Sequence, residues 1–370
     1  MLKWYEQECE KEQNIIASRV RFARNWNEYV FPSRLSEKDG REMVRRLDEG
    51  LTDLSEIDGR YYEAVKLEDL DELERQVLAD RRVINRASIK KKGPAELILS
   101  AQEDISVLLN GTDHIRIQAI RPGMDLSVAL KDADQIDDYV DERFSYAFDE
   151  KYGYLTSYPT NVGTGMRASV LIHLPSLSLG KKFQAMLGDM GRFGVSVRGV
   201  YGEGRENYGS IYEVSNVKTL GQTERELAEL VCKVALQLND QENQVRQMTL
   251  ENHRLEREDE VYKSYGVLKY ARKLSMKEAM TYLSHLRAGI CDGVIALDGA
   301  CPVYGLILGI QNANLMKIAD HPLDKDELDG VRASYIRDHL PDIKQVWRFR
   351  ELIYDRHELW KPLQTRREFA

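Results

Sequence analysis

The sequence predicts an α+β protein, with an antiparallel sheet flanked by helices over residues 1–255 and an α-helical C-terminal domain over 256–370. Three observations carry this. Segments 96–109, 114–120, 126–130, 167–174 and 194–201 alternate or run apolar, as strands do. After Gly221 the texture turns helical, with Thr223 and Glu226 forming a capping-box pair at a helix start. At 370 residues, the chain is long enough for two domains and a sizeable core.

Taken in order, a strand begins the fold around Ser18–Phe22, and 36–50 and 67–82 read as charged amphipathic helices. Residues 132–150 read as an acidic helix. Glycines 199, 202, 204 and 209 mark a loop, and a short strand follows over 210–215. The glutamine- and glutamate-rich segment 239–258 reads as an exposed helix or a charged connector. Ser275 with Glu278 marks another helix start, and 312–340 and 342–361 read as helices.

Composition narrows the function. Hydrophobic content of 42% and charged content of 31% describe a soluble globular protein. A net charge of -8 argues against a general nucleic-acid binder. With no apolar run of about 18 residues, no membrane span is expected, and the charged N-terminus lacks the apolar core of a signal peptide. Cys9, Cys232, Cys291 and Cys301 are scattered without metal-ligand spacing, which reads as a reduced cytoplasmic protein.

The most informative stretch is 158–173. A turn-rich loop containing Pro159, Asn161, Gly163 and Gly165 runs into a strand that begins with Arg167. Glycines there let the backbone come close to a ligand, and an arginine at a strand base offers a rigid fork of donors to phosphate. Because side chains alternate across a strand, Arg19 and Arg21 share a face, as do His114, Arg116 and Gln118, and as do Arg167, Ser169 and His173. Arg198 ends a further strand beside the glycine-rich loop. Any one of these arginines is more often a solvated or ion-paired surface residue. Five on one sheet face of an acidic protein point to a polyanion, and a nucleoside triphosphate fits. The chain contains neither a P-loop sequence nor a dinucleotide-binding fingerprint.

At these residues the chain resembles the phosphagen (guanidino) kinase family, and within it the bacterial protein arginine kinases. The likeness rests on Ser18-Arg19-Val20-Arg21, Asp113-His114-Ile115-Arg116-Ile117, Pro159 through Val170, and Arg198-Gly199-Val200-Tyr201-Gly202-Glu203. It spans roughly residues 14–255, with a weaker match beyond. The short segment before Asn14 and the helical C-terminal part also look like the protein arginine kinases. The resemblance implies a glutamine-synthetase-like catalytic fold. It also implies ATP with Mg2+ as phosphoryl donor and transfer of the γ-phosphoryl to arginine side chains in proteins. Ser18, Arg19, Val20, Arg21, Arg82, Arg116, Arg167, Ala168, Ser169, Val170, Leu171, Arg198, Gly199, Val200, Tyr201, Gly202 and Glu203 fall at nucleotide-binding positions. Glu203 doubles as a catalytic carboxylate. A homodimer is implied by resemblance alone.

The sequence departs from the pattern on the acceptor side. Thr112 stands where the family has the catalytic glutamate, and Gly111 replaces the neighbouring one. Asp113 remains, but alternation would turn it to the opposite face. Tyr158 replaces a reactive cysteine, and Arg82 replaces a histidine. Of an allosteric phosphoarginine motif, Asp329 and Arg332 remain while Leu328 replaces its first arginine. Three readings follow: a divergent protein arginine kinase, an ATP-binding pseudokinase or scaffold pairing with a kinase or with protein-quality-control partners, and a kinase for another acceptor.

Overall fold

The computed structural model describes residues 2–7, 14–181, 183–202, 206–319 and 321–344. Among these an eight-stranded, wholly antiparallel sheet forms from β1 (Ile15–Arg24), β2 (Tyr62–Lys66), β3 (Glu96–Ser100), β4 (Ile105–Leu109), β5 (Ile115–Pro122), β6 (Met166–His173), β7 (Val195–Gly199) and β8 (Ile211–Asn216). Their spatial order is β2-β3-β4-β5-β1-β6-β8-β7, which places β1 at the centre between β5 and β6.

The larger core lies on one face of this sheet. Val20 and Phe22 of β1, Ile115 and Ile117 of β5, and Ala168 and Val170 of β6 pack there. Helices α1 (Glu37–Gly50), α3 (Leu126–Asp141) and α4 (Glu224–Asn252) cover them with Met43 and Leu47, Ala129 and Ile136, and Leu227 and Val231. The short helix α2 (Glu72–Asp80) opens on a capping box of Asp71 and Glu74. Beyond α4 come α5 (Arg254–Tyr270), α6 (Met276–Cys291), α7 (Val303–Gly309), α8 (Asn312–Ala319) and α9 (Lys325–His339). The boxes at Thr223/Glu226 and Ser275/Glu278 start α4 and α6 as the sequence implies.

The opposite face of the sheet is divided. At one end its small and apolar side chains, Ala17, Ile120, Leu171 and Ile211, join a second core with Leu268, Leu283, Ile307 and Ile336 of the C-terminal helices. The rest of that face carries the arginines.

Several expectations are corrected. Residues 96–109 are two strands, because the chain turns back between Ser100 and Ile105, with Glu103 at φ 57°. Residues 126–130 are the first turns of α3 and not a strand. Leu126, Ala129, Ala133, Ile136 and Val140 are buried at helical spacing, a period that five residues cannot display. The acidic helix stops at Asp141, well short of 150. Strand β2 escapes the sequence reading because it is an edge strand with mostly exposed side chains. Segment 239–258 is helix on both sides of a break at His253, and Asn239, Glu242 and Arg246 in it are buried. Residues 312–340 form two helices, and most of 342–361 lies outside the described residues.

Candidate active site

Strand register brings the arginines together. Arg21 of β1 lies directly opposite Gln118 of β5 on one side and Arg167 of β6 on the other. Arg19 faces Ser169, and Arg116 faces Ala23. Directly opposed like charges destabilise a sheet, so the Arg21–Arg167 pair is a cost that Glu213 offsets only in part and that a bound anion would offset further. Arg21, Arg116 and Arg167 all line one open cleft of about 370 Å³ together with Thr112, Asp113 and Tyr158.

These guanidiniums are short of partners. Arg21 Nε and Arg116 Nη1 are buried without a hydrogen-bond acceptor. Arg116 keeps one bond, from Nη2 to Gln118 Oε1 at 3.0 Å. Burial, and then the charges of Arg19 and Arg116, push the Arg21 guanidinium well below the usual arginine range. Burial and then Arg19 push Arg116 down to about 10. Arg167 is lowered by burial and, more weakly, by Arg198, against an opposing pull from Glu213. Such a cluster is ready for phosphate, whose oxygens would accept the orphaned N–H groups.

Arg19 and Arg82 are held differently. Arg19 donates from Nε to Ser169 Oγ at 3.3 Å and pairs through Nη2 with Glu213. Arg82, at φ 67° in the loop after α2, reaches the same carboxylate from Nη1 at 3.1 Å. The Arg82 carbonyl accepts from Gln118 Nε2 at 2.8 Å. Burial alone would raise the Glu213 pKa, but Arg19, Arg82 and Arg21 reverse this and hold its carboxyl far below the usual range. Glu213 is the residue the sequence reading missed. Its signal is a lone carboxylate on the arginine-bearing face of β8, visible only once β8 is known to pair with β6. Arg198 is exposed near the end of β7 and donates to Ser196 Oγ at 2.9 Å.

Other candidate positions do not face the cleft. Val20, Ala168 and Val170 point to the larger core and are fully buried there. Ser18 lies on that side too, donating to the Gly123 carbonyl at 2.8 Å and accepting from the Asp125 N–H at 3.0 Å, which fixes the approach to α3. Leu171 shares the arginine face but packs into the second core. Val200 and Tyr201 also lean on that core, and Tyr201 Oη lies 3.1 Å from Tyr304 Oη. Gly199 closes β7 opposite Tyr212, and Gly202 follows in the loop at φ 123°. Glu203 lies outside the described residues.

The glycines of the 158–165 loop allow close packing of the chain on itself, and Gly165 also lines the cleft. A Cβ on Gly163 would stand 2.2 Å from the Thr219 carbonyl oxygen, and one on Gly165 2.6 Å from that of Ala23. Arg24, buried against Asp137, fastens this loop by donating to the Thr164 carbonyl at 2.8 Å. Tyr158 at its start is 54% exposed, so it is a lip of the cleft and not core packing.

The two histidines are structural. His114 precedes β5 and does not share the face of Arg116. Its Nδ1 accepts from the Trp26 N–H at 3.1 Å, and its Nε2 lies 3.0 Å from the Val30 carbonyl. His173 is buried at the C-terminal helices, 2.7 Å from Ser284 Oγ.

In the C-terminal region, Arg332 is 2% exposed and fully engaged. It donates to the Leu274 carbonyl at 2.8 Å, to Asp329 at 2.5 Å, to Asn312 at 2.7 Å and to the Ile310 carbonyl at 3.3 Å. Asp329 and Arg332 thus staple α9 to the preceding helices, and Leu328 beside them is buried. Arg332→Ala is expected to destabilise the protein by roughly 3–5 kcal/mol, the cost of breaking a buried ion pair, as read by urea denaturation.

A sheet face of arginines feeding an open cleft defines a phosphate-handling protein. The sequence places it more narrowly, because the chain belongs to the ATP:guanido phosphotransferase family. A profile of that family's C-terminal catalytic domain matches residues 42–245, and one of the protein-arginine kinase McsB C-terminal domain matches 254–348. The protein-arginine kinase of Halothermothrix orenii is 36% identical over 337 residues, covering 91% of this chain and 96% of that one. That of Bacillus subtilis is 37% identical over 338 residues, covering 91% and 93%. The fold is shared with solved phosphagen kinases. Lombricine kinase superposes with a TM-score of 0.55 at 23% identity, over 66% of this chain and 69% of that one. The duplicated taurocyamine kinase of Schistosoma mansoni gives 0.56 at 22%, over 66% of this chain and 36% of that longer one.

Proposed function

We propose that the protein transfers the γ-phosphoryl group of ATP to arginine side chains of proteins. The observation that carries this reading is the cleft in which Arg21, Arg116 and Arg167 converge with two buried guanidinium N–H groups lacking acceptors. Triphosphate oxygens would satisfy those donors and neutralise the cluster. Positioning and charge neutralisation supply most of the catalysis in phosphoryl transfer. Among the described residues no three metal-ligating side chains gather, so in this reading Mg2+ arrives on the nucleotide's phosphates, as part of the substrate. No helix of the described residues is long and apolar enough to cross a membrane, which suits a cytoplasmic enzyme acting on protein substrates. A homodimer and protein-quality-control partners belong to the same proposal.

A second reading, nucleotide binding with little or no transfer, is favoured by one observation. Thr112 and Tyr158, which stand where the family resemblance expects a glutamate and a cysteine, line the cleft, and neither brings a carboxylate or a thiol. Incubation with γ-labelled ATP, Mg2+ and an unfolded arginine-rich protein separates the two. Acid-labile label on the protein supports the kinase, while ATP binding without label supports the pseudokinase. Label on free arginine instead would indicate a small-molecule acceptor. Thr112→Glu is expected to raise the transfer rate at least tenfold by adding a carboxylate beside the acceptor. An unchanged rate would show that position 112 does not face the reacting nitrogen.

A further inference from the structure

Thr112 removes one of the two carboxylates that the family resemblance assigns to the acceptor, and the other, Glu203, lies outside the described residues, yet the cleft is not empty of carboxylates. Of the residues lining it among the described ones, Asp113 alone carries a carboxylate. The alternation that would turn Asp113 away does not apply, because β5 begins only at Ile115. Residues 110–114 form a turn entered through Asn110 at φ 53°. This turn brings Asp113 to the same cleft as Arg116.

The carboxylate is held by one oxygen only. Asp113 Oδ1 accepts from Asn25 Nδ2 at 2.8 Å and from the Ser157 N–H at 2.6 Å. Oδ2 takes no hydrogen bond among the described residues, and it is not among the buried polar atoms sealed without a partner. The surroundings are rigid. Asn25 Oδ1 accepts from the His114 N–H at 2.9 Å, and Lys91 Nζ donates to the Gly111 carbonyl at 3.1 Å. Asp113 is 2% exposed, so water competes little for Oδ2. A carboxylate with one oxygen bonded and the other without a hydrogen bond, on a residue that lines the cleft, suits a planar cation.

We infer that Asp113 is the carboxylate that orients the acceptor guanidinium in this protein, taking the part left vacant at Thr112. The inference rests on the kinase reading above. In the step it serves, a guanidinium nitrogen forms a bond to the γ-phosphorus of ATP. The bond from that phosphorus to the bridging oxygen breaks, and its electron pair leaves with ADP. The proton on the attacking nitrogen passes to Asp113 Oδ2 and from there to water. The bond from Oδ1 to Ser157 also ties this carboxylate to the loop bearing Tyr158, so the two acceptor-side residues move together.

Asp113→Asn tests the inference, because the amide oxygen can still accept from Asn25 and Ser157. The full-length protein is compared with Asp113→Asn and with the double variant Thr112→Glu/Asp113→Asn. Three quantities are measured: label transfer, MgATP binding by calorimetry, and binding of N-acetylarginine methylamide in the presence of MgADP. Asp113→Asn is expected to lower kcat roughly 100-fold or more, within the range of general acid–base catalysis, with MgATP affinity and Tm unchanged. The double variant is expected to recover transfer. Wild-type kcat in Asp113→Asn overturns the inference. So does loss of transfer with a lowered Tm and no recovery in the double variant, which makes Asp113 purely structural. Should the unmodified protein transfer no label, the kinase reading fails separately and the arginine probe decides. Probe binding lost in Asp113→Asn with MgATP binding intact supports the orienting role. Equal binding in both proteins, or none in either, overturns it.

Discussion

Replacing Arg21 with methionine is expected to stabilise the ligand-free protein while weakening its affinity for ATP. Arg21 sits in the central strand, directly opposite Arg167, with a buried Nε that finds no acceptor. Burial and neighbouring cations both oppose its charge. Methionine of similar length would remove an uncompensated buried cation and keep the packing. Replacing poorly compensated buried charge by apolar side chains often gains about 1–4 kcal/mol. The same guanidinium is the one best placed for a phosphate oxygen. A charge-assisted hydrogen bond is worth about 1.5–3 kcal/mol, so ATP affinity should fall roughly 10- to 100-fold. Urea denaturation without nucleotide and calorimetry with MgATP read the two halves. A destabilised variant that binds ATP as before would show that Arg21 serves the sheet and not the ligand.

Glu213→Gln is expected to be strongly destabilising. Two arginines, Arg19 and Arg82, share this one carboxylate. Glutamine keeps the shape but leaves both guanidiniums buried without a counter-charge, which costs roughly 3–5 kcal/mol. The pH dependence follows from the direction of the shift. The folded-state pKa of Glu213 is depressed, so its stabilising contribution is present above the unfolded carboxyl pKa of about 4.3 and is lost as pH falls through the folded value. The stability gap between wild type and Glu213→Gln should therefore be widest near neutral pH and close on acidification below about pH 4. A gap that stays constant down to pH 3 would show that the carboxylate's charge contributes nothing.

Strand alternation made the shared face of Arg19 and Arg21, and of Arg116 and Gln118, legible in the sequence. It did not show which of these side chains would be neutralised from within. The carboxylate that engages Arg19 sits on β8, two strands away in space and nearly two hundred residues away in sequence. Alternation also misleads at strand ends. Asp113 and His114 obey turn geometry, so one enters the cleft where the rule excludes it and the other leaves the face where the rule includes it. The carried-over positions Ser18, Val20, Ala168 and Val170 turn to the face opposite that of Arg19, Arg21 and Arg167, because neighbours along a strand face opposite ways. At 126–130, Leu-Ser-Val-Ala-Leu alternates over five residues, and only the continuation to Val140 reveals the helical period.

The apolar end of the arginine face has a consequence for how the molecule holds together. The matched sequence profiles meet between residues 245 and 254, yet the second core ignores that border, drawing Ala17, Ile120, Leu171 and Ile211 from the sheet. The loop leading from β7 is clasped from the same side by Tyr304 at Tyr201 and by Lys277 at Glu206. Cutting the chain at the border would bare greasy surface beside the cationic face and release the loop at once. The helical region is therefore a wall of the sheet that carries the arginines and not an appendage to it, and whatever loosens those helices uncovers part of the same sheet face.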